Sequence, residues 1–411
     1  MALTYQQIWE RYSKIHFSRR LYIKRLNEDG TYEADFTEIS QGLMQDGSVS
    51  RLSRQLPNSS YAFGKVAVSN ASLNILSAFQ EFAGEEDPNS VFAGFIRHWS
   101  IVKVVDSLVD YYTDPDTPVE STVTTFQGLL DANTATTEQG FETITALDFM
   151  TVLDEINVNE LTLSQTTINN IIYEIMNRSE FTKYFNVSNS TTYINAGYNA
   201  TSIDVSQYDG TVLEMIEDLS RGHSIFYINP DDNYFYFVEA QPTATSQYNF
   251  LEMNNRKLSV SKYRSGIDRQ INQWFWKDTS ISSIAVPAPV NPRIETLDIK
   301  GVTNATQRQN LLDFVLSVTK DSKPYFRLEI PYLPTVQLLD KVVVQSFGQA
   351  PPDAIRWGMF QWTDSETTSP ATAARWRKPA GIRISADEEW MIRGFTHANN
   401  LKTTLKLEKI L

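Results

Sequence analysis

Histidine and a neighbouring serine are the first residues to consider for chemistry, because imidazole binds zinc and activates hydroxyl nucleophiles. The four histidines lie far apart in the sequence and none has the His-Glu-x-x-His spacing of a zinc site: His16, His98, His223 and His397. His223 stands beside Ser224, but the pair lacks the Gly-x-Ser-x-Gly elbow of a hydrolase, and a predicted helix precedes it. We therefore expect structural or solvent-facing histidines, no catalytic, cofactor-binding or metal-binding residue, and no cofactor.

Clustered carboxylates are a second source of chemistry, because hydrolysis of a glycosidic bond needs only two acidic side chains at a suitable separation. Four groups qualify: Glu85-Glu86-Asp87, Asp114 with Asp116, Asp231-Asp232 and Asp387-Glu388-Glu389. All lie in predicted turns or loops, most beside Pro, Gly or Asn, where solvated charges are common. Solvated surface charge is the favoured interpretation, and a cell-wall hydrolase stays open as an alternative.

Composition narrows the function classes further. The 411 residues include no cysteine, 36 Lys and Arg, and 49 Asp and Glu, which gives a net charge of -13. The lack of cysteine excludes disulfides, thiolate nucleophiles and Cys-ligated clusters, and it fits folding in a reducing cytoplasm. The acidic balance argues against a protein that binds nucleic acid by neutralising phosphates.

Basic residues form only small clusters: Arg19-Arg20 with Lys24 and Arg25, Arg51 with Arg54, and Arg375 with Arg377 and Lys378. We interpret them as ion-pair partners for an acidic neighbouring subunit rather than as nucleic-acid contacts. No run approaches about 18 apolar residues, so we expect neither a membrane span nor stable membrane association. The first residues predict a short amphipathic helix, with Tyr5, Ile8, Trp9, Tyr12 and Ile15 on one face, for packing or subunit contact.

The order of predicted elements indicates an α+β, mainly β chain. Residues 1–160 are β-rich, with a hairpin across the Asp-Gly turn at 27–30 and strands at 62–69, 99–108, 123–130 and 141–146. Residues 161–255 hold an apolar helix stripe at 168–176, with Thr162 and Gln165 as a cap, and a helix at 212–219 opened by Thr211 and Glu214. A hairpin at 224–238 follows.

Residues 256–411 return to strands, and one stretch at 323–347 joins two of them through a proline-marked turn. Phe326, Leu328 and Ile330 alternate with Arg327 and Glu329, which is typical of a half-buried strand. A β-branched strand follows at 341–345. Upstream, residues 304–320 predict a helix with Asn304 and Gln307 as a capping box and Leu311, Phe314, Val315 and Val318 as its apolar stripe.

The order of these segments resembles the baseplate-hub or tail-tip proteins of tailed bacteriophages. Three pieces carry the resemblance and together span nearly the whole chain. The first is the succession RLSRQLPNSSYAFGKVAVSNASLN, VFAGFIRHWSIVKVVDSL, TTFQGLLD and ITALDFMTVLDEI. The second is a helix running into a hairpin, TVLEMIEDLSRGHSIFYINPDDNYFYFV. The third is RLEIPYLPTVQLLDKVVVQ with the closing series WMIRGFTHANNLKTTLKLEKIL.

The resemblance implies two tail-tube-like β-barrel domains, 1–160 and 256–411, flanking an α+β domain at 161–255. It also implies a homotrimeric ring that joins a hexameric tail tube or distal tail protein to a central spike or fibre, with the tape-measure protein as a further partner. DNA would pass only transiently, and the protein would be a virion component assembled in the host cytoplasm. The cysteine-bound cluster known in some tail-tip proteins cannot form here.

Two further hypotheses stay open. The segment 348–379 carries Trp357, Trp362 and Trp376, so the chain could instead be a tail-tip adhesin that binds a host glycan. We also expect the acidic residues to line the lumen of the ring, where carboxylates would repel passing DNA. Arg327 and Glu329 are expected at a subunit interface or in that lumen.

Overall fold

A computed structural model shows a mainly β chain, 42% strand and 20% helix, which confirms the predicted class. The structure describes residues 5–10, 15–39, 49–55, 70–76, 98–111, 119–138, 141–251, 258–267, 270–287, 290, 292–345, 384, 388–398 and 402–410. The predicted strand at 62–69 and the tryptophan-containing segment 348–379 lie outside these residues.

The helices are α1 Tyr5–Glu10, α2 Ile168–Met176, α3 Ser179–Thr182, α4 Val212–Ser220 and α5 Ala305–Thr319. The strands up to residue 148 are β1 Ile15–Lys24, β2 Thr37–Glu38, β3 Val49–Gln55, β4 Asn70–Leu76, β5 Ile101–Asp110, β6 Val119–Glu138 and β7 Phe141–Asp148. The next are β8 Ile194–Asn195, β9 Ser224–Asn229, β10 Tyr234–Glu239, β11 Ser246–Leu251, β12 Ser259–Arg264, β13 Gln273–Trp276, β14 Ser282–Ile284 and β15 Ile294–Leu297. The last are β16 Tyr325–Pro331, β17 Lys341–Gln345, β18 Glu389–Ala398 and β19 Lys402–Lys409. None of the described helices is both long and apolar enough to span a membrane.

The largest sheet has 13 strands and draws on both predicted β regions. Its main path runs β12-β16-β19-β18-β3-β4-β7-β6-β5-β1-β2, with β11 and β17 attached to one side through β18. The two regions meet where β18 pairs antiparallel with β3, from Gly394 opposite Gln55 to Ala398 opposite Arg51. Residues from the two ends of the chain therefore share one hydrogen-bonded ladder.

Two small sheets accompany it, β8-β10-β9 and β14-β13-β15. Within the described ranges none of the three sheets closes into a barrel, so the two tail-tube-like barrels stay a prediction. The domain boundaries at 160 and 255 stay predictions as well.

Two hydrophobic cores organise the described residues, and the β9–β10 hairpin lies between them. The first core unites the large sheet, with Leu21, Val104, Phe126, Leu328 and Leu405 among its buried residues. The second gathers α2, α4, α5, β9, β10 and β13, and draws on residues on both sides of position 255. Because side chains alternate along a strand, the hairpin serves both cores. Its members are Ile225, Tyr227 and Val238 in the first core, and Phe226, Ile228, Phe235 and Phe237 in the second.

Local sequence signals place the starts of α4 and α5. The capping box of α4 is confirmed: the Thr211 hydroxyl accepts from the Glu214 N–H, and the Glu214 carboxylate accepts from the Thr211 N–H. Asn304 caps α5 as predicted. The predicted role of Gln307 as its capping-box partner is wrong, because the Gln307 side-chain amide donates to Thr201 Oγ1 at 2.7 Å.

The predicted cap of α2 is also wrong, since its N-cap is Thr167 rather than Thr162. The reason is a competing acceptor. The N–H groups of Ser164 and Gln165 both donate to the Glu174 carboxylate at 3.0 Å, which holds the preceding segment extended beside the helix.

The strand pattern at 325–331 is confirmed. Phe326, Leu328 and Ile330 are buried on β16, while Arg327 and Glu329 are partly exposed. Glu329, expected at an interface or in a lumen, forms an ion pair with Lys402 of the neighbouring strand β19. The stripe of α5 is displaced by one position from the prediction, because Leu312, Leu316 and Thr319 are buried whereas Phe314 and Val318 are partly exposed.

The turn that leads into β17 ends on a buried acid. Asp340 Oδ2 accepts from the Gln337 N–H at 2.8 Å, and the Asp340 carbonyl accepts from the Ile392 N–H at 2.9 Å. Burial raises the pKa of the Asp340 carboxyl from 3.8 to about 7, against the lowering effect of the Gln337 hydrogen bond. The folded chain therefore holds this proton where the unfolded chain releases it.

We expect Asp340→Asn to remove the loss of stability that Asp340 alone causes between about pH 4 and pH 7. The folded-state pKa is raised, so the contribution of Asp340 is complete below the unfolded pKa and is lost as pH rises through about 7. Asparagine keeps the acceptor for Gln337 without the charge, so the variant should gain on the order of 1–3 kcal/mol relative to the parent across this window. Urea unfolding at fixed pH measures it, and a difference between the two proteins that does not change with pH contradicts the assignment.

Candidate functional site

A largely enclosed polar cluster joins three distant segments beside the first core. Arg19 on β1 lies directly opposite Asp106 on β5 and binds its carboxylate with two hydrogen bonds, Nε to Oδ1 at 2.8 Å and Nη2 to Oδ2 at 3.0 Å. The Tyr332 hydroxyl, just after β16, contacts both Arg19 and Asp106. We call this set, Arg19, Asp106 and Tyr332, the polar joint.

The electrostatics of the polar joint follow from burial and close pairing. Burial lowers the pKa of Arg19, but the Tyr332 and Asp106 oxygens outweigh it and raise that pKa above its ordinary value. Burial, then the Asp106 charge, raises the pKa of the Tyr332 hydroxyl well above its ordinary value. Arg19 therefore stays charged and Tyr332 stays protonated, so the cluster holds charge rather than transferring protons.

A histidine extends the polar joint toward β18 and β19. The rings of Tyr332 and His397 meet edge to face with centroids 5.0 Å apart. His397 Nδ1 lies 2.9 Å from Thr403 Oγ1, which also accepts from the Leu333 N–H at 3.0 Å. Burial, and next the Arg19 charge, lowers the pKa of His397 to about 3. This imidazole is neutral and fully enclosed, as expected of a structural histidine.

The Gly222-His223-Ser224 segment is likewise closed. His223 is buried and its Nδ1 lies 2.7 Å from Ser224 Oγ, which accepts from the Gly197 N–H at 3.0 Å. Burial lowers the pKa of His223 to about 3. Gly222 has a φ of 86°, and a Cβ there would lie 2.8 Å from Val315 Cγ2, so only glycine fits this link between α4 and β9. Ser224 is also buried, so neither side chain of the pair is exposed to solvent.

The other two histidines lie at the surface. His16 is exposed on β1, and His98 Nδ1 lies 3.5 Å from the Asp131 carboxylate. The part of the chain that the structure describes contains no group of three or more His, Asp or Glu side chains able to hold a metal ion.

The described acidic candidates make contacts within the fold. Asp231 Oδ1 accepts from the Thr124 N–H at 3.1 Å, and Asp232 accepts from the Tyr234 N–H and the Tyr236 hydroxyl. Glu388 pairs with Lys409 and Glu389 with Lys341, at 2.6 and 2.9 Å. These acids close turns and tie strands together. The remaining candidates, Glu85-Glu86-Asp87, Asp114, Asp116 and Asp387, lie outside the described residues.

The basic residues near the N-terminus have partners within their own chain. Their predicted pairing with an acidic neighbouring subunit stays a prediction. Arg19 pairs with Asp106, Arg25 with Glu33 at 2.7 Å, and Arg20 lies 4.0 Å from Glu120. Lys24 lies over the Phe36 ring at 5.7 Å. The side chains of Arg51 and Arg54, and the cluster at 375–378, fall outside what the structure describes.

A cavity of about 250 Å³ beside α4 is the site that sequence reasoning missed in the middle region, with Tyr208, Glu214, Asp218, Arg221 and Lys300 in its lining. Asp218 Oδ2 accepts from the Lys300 N–H at 2.8 Å and from the Tyr208 hydroxyl at 3.0 Å. Burial raises the pKa of Asp218 above its ordinary value. Asp218 therefore stabilises the loop after residue 298 through the Lys300 N–H, and its carboxylate is already hydrogen-bonded within the chain.

No protein-family model matches the chain, and no curated protein matches it. Among solved structures, the 43 kDa tail protein of prophage MuSo2 from Shewanella oneidensis is similar over 96% of this chain and 98% of its own, at 10% identity and a TM-score of 0.49. A tail protein from Neisseria meningitidis MC58 covers 95% and 96%, at 10% identity and 0.46. Prophage tail protein gp18 from Listeria monocytogenes EGD-e covers 95% and 94%, at 10% identity and 0.44. With TM-scores below 0.5, these likenesses establish neither a family nor a function for this chain.

We expect Asp106→Asn to destabilise the folded chain by about 2–4 kcal/mol, because it leaves the half-buried Arg19 guanidinium without a compensating charge. Asp298→Asn is the matched control, since its 3.4 Å pair with Lys277 is exposed and worth less than about 1 kcal/mol. Chemical denaturation followed by tryptophan fluorescence measures both. Equal effects of the two substitutions contradict a stabilising role for the polar joint.

Proposed function

We propose that this protein is a structural component of a bacteriophage tail, the baseplate hub. The observation that carries the proposal is the polar joint. Asp106, Tyr332 and His397 are buried, Arg19 is half-buried beside them, and their contacts join strands from both ends of the chain. A rigid ring subunit between a tube and a spike needs such long-range contacts to hold its strands in place.

The architecture supports the same proposal. The large sheet takes strands from both of the regions proposed as tail-tube-like domains, 1–160 and 256–411. The second core, built largely from residues between them, lies against this sheet through the β9–β10 hairpin. Three copies with two tube-like domains each would offer six similar units to a hexameric tail tube and a threefold face to a spike or fibre.

The proposed partners follow from that position. The hub would contact the tail tube or distal tail protein on one side, the central spike or fibre on the other, and the tape-measure protein in between. DNA would cross its channel during ejection, and the net charge of -13 would limit retention of the DNA there. The proposal assigns no reaction to this chain, and it places the protein in the virion after assembly in the host cytoplasm.

The two alternatives have less support. The tryptophans of the glycan-binding hypothesis, Trp357, Trp362 and Trp376, lie outside the described residues, so that hypothesis stays a prediction. For the wall-hydrolase alternative, the described carboxylates at 231–232 and 388–389 already bind main-chain N–H groups, a tyrosine and lysines of the same chain.

We expect the purified chain, alone or mixed with tail-tube and spike proteins, to form a closed trimer with three times the 46.9 kDa subunit mass. Mass photometry over a concentration series gives the mass, and class averages from negative-stain microscopy give the rotational symmetry. Threefold rings support the hub. A chain that stays monomeric at every concentration and beside every tail partner contradicts it.

A further inference from the structure

The strand β15 offers an open edge in the small sheet β14-β13-β15. Among the described residues it pairs with β13 on one side and has no partner strand on the other. The Gln273 N–H donates to the Arg293 carbonyl and the Lys277 N–H to the Leu297 carbonyl, so residues 293, 295 and 297 direct their main-chain groups toward β13. By alternation, the N–H and C=O of Ile294 and Thr296 point to the open side.

This small sheet and the connection between β14 and β15 carry much of the exposed apolar surface of the described chain. The register places Ile284, Gln273 and Ile294 side by side across the three strands. Ile284 is 43% exposed and Ile294 53% exposed. In the connection between these two strands, Val286 and Val290 are 95% and 96% exposed. The row of side chains therefore ends in an exposed isoleucine at β15, the strand whose Ile294 and Thr296 main-chain groups face away from β13.

The charged residues beside Ile294 indicate which partner strand would fit this edge. Arg293 and Glu295 flank it, are exposed, and have no ion-pair partner in the part of the chain that the structure describes. In an antiparallel pair of two such strands centred on Ile294, residue 293 of each copy lies opposite residue 295 of the other. The edge is therefore complementary in charge to itself.

We propose that β15 pairs antiparallel with β15 of a second copy of this chain, about a twofold axis at Ile294. The Ile294 N–H of each copy donates to the Ile294 carbonyl of the other, and two Arg293–Glu295 pairs flank these bonds. The two small sheets become one six-stranded sheet, and the two Ile284–Gln273–Ile294 rows become continuous. Two chains of net charge -13 then meet at a contact with balanced charge.

The end strand β12 of the large sheet has features that prevent edge-to-edge pairing with another chain. β12 has a register shift between Ser261 and Arg264, where Lys262 takes a positive φ of 54°. A bulge and a lysine are two ways in which proteins prevent edge-to-edge pairing. β15 pairs with β13 without a register shift and has isoleucine at the proposed axis. Pro292, just before it, supplies no N–H, so the proposed pairing uses the N–H groups of Ile294 and Thr296.

Charge reversal with rescue tests the proposal on the full chain. Arg293→Glu and Glu295→Arg each place like charges opposite one another twice, so each should weaken pairing at least about tenfold. The double variant restores both pairs in reversed order and should return the dissociation constant to within about threefold of the parent. Sedimentation equilibrium at low ionic strength, where surface charge is least screened, measures that constant.

Two more variants separate pairing from general effects. Ile294→Pro removes the outward N–H while leaving the bonds from 293, 295 and 297 to β13, so it should abolish pairing without loss of folding by circular dichroism. Lys262→Glu is the matched control, because it changes net charge as Arg293→Glu does but lies at the protected edge, and it should leave pairing intact. The proposal is overturned if no even-numbered species forms up to about 100 µM protein. It is also overturned if Arg293→Glu and Ile294→Pro leave the dissociation constant unchanged.

This inference does not rest on the hub role, and the outcomes distinguish the two. Trimers that never associate in pairs leave the proposed function standing and overturn the β15 contact. Dimers of single chains support the β15 contact and contradict the trimeric hub. Hexamers that fall to trimers with Ile294→Pro support both.

Discussion

The constraint on which the fold depends is the partial burial of the Arg19 guanidinium beside the first hydrophobic core. Removing a guanidinium from water is costly unless a partner and hydrogen bonds compensate it, and Arg19 finds both in Asp106 and Tyr332. Arg19 and Asp106 are direct cross-strand neighbours, so a slip of one residue between β1 and β5 would separate the charges and turn each strand face the wrong way. The polar joint thereby specifies register, and Tyr332 brings a segment from the far end of the chain into the same contact.

The β9–β10 hairpin makes the second large-scale connection by a different principle. Its alternate residues enter different cores, with Tyr227 on the side of the large sheet and Phe226 on the side of the helices. A strand buried on both faces cannot tilt freely, because any movement that opens one core compresses the other. The Asp231 carboxylate adds a directional bond to the Thr124 N–H of β6, which fixes the turn end of the hairpin against the large sheet.

Local features of this fold could be predicted from sequence, whereas the long-range ones could not. Alternation at Phe326 and Leu328 indicates β16, and Thr211 with Glu214 indicates the start of α4, because both signals lie within a few residues. The polar joint links residues 19, 106 and 332, which no local period connects. One signal was present: Asp106 continues the face of Val102, Val104 and Leu108, so an acid on an apolar face already implied a buried cation nearby. The cap of α2 was misplaced because Glu174, a turn and a half inside the helix, competes for the same N–H groups.

Two of the histidines considered first for chemistry, together with Asp340, make the stability of the fold depend on pH. His223 and His397 have pKa values lowered to about 3, so their contribution to stability is present above the unfolded value near 6.5 and is lost as pH falls. Asp340, with its pKa raised to about 7, acts in the opposite sense and loses its contribution as pH rises. Between about pH 4 and 6.5 the unfolded chain takes up two histidine protons while the folded chain retains one on Asp340, so stability rises with pH there. The buried imidazoles of His223 and His397 thus favour a fold that is most stable near neutral pH.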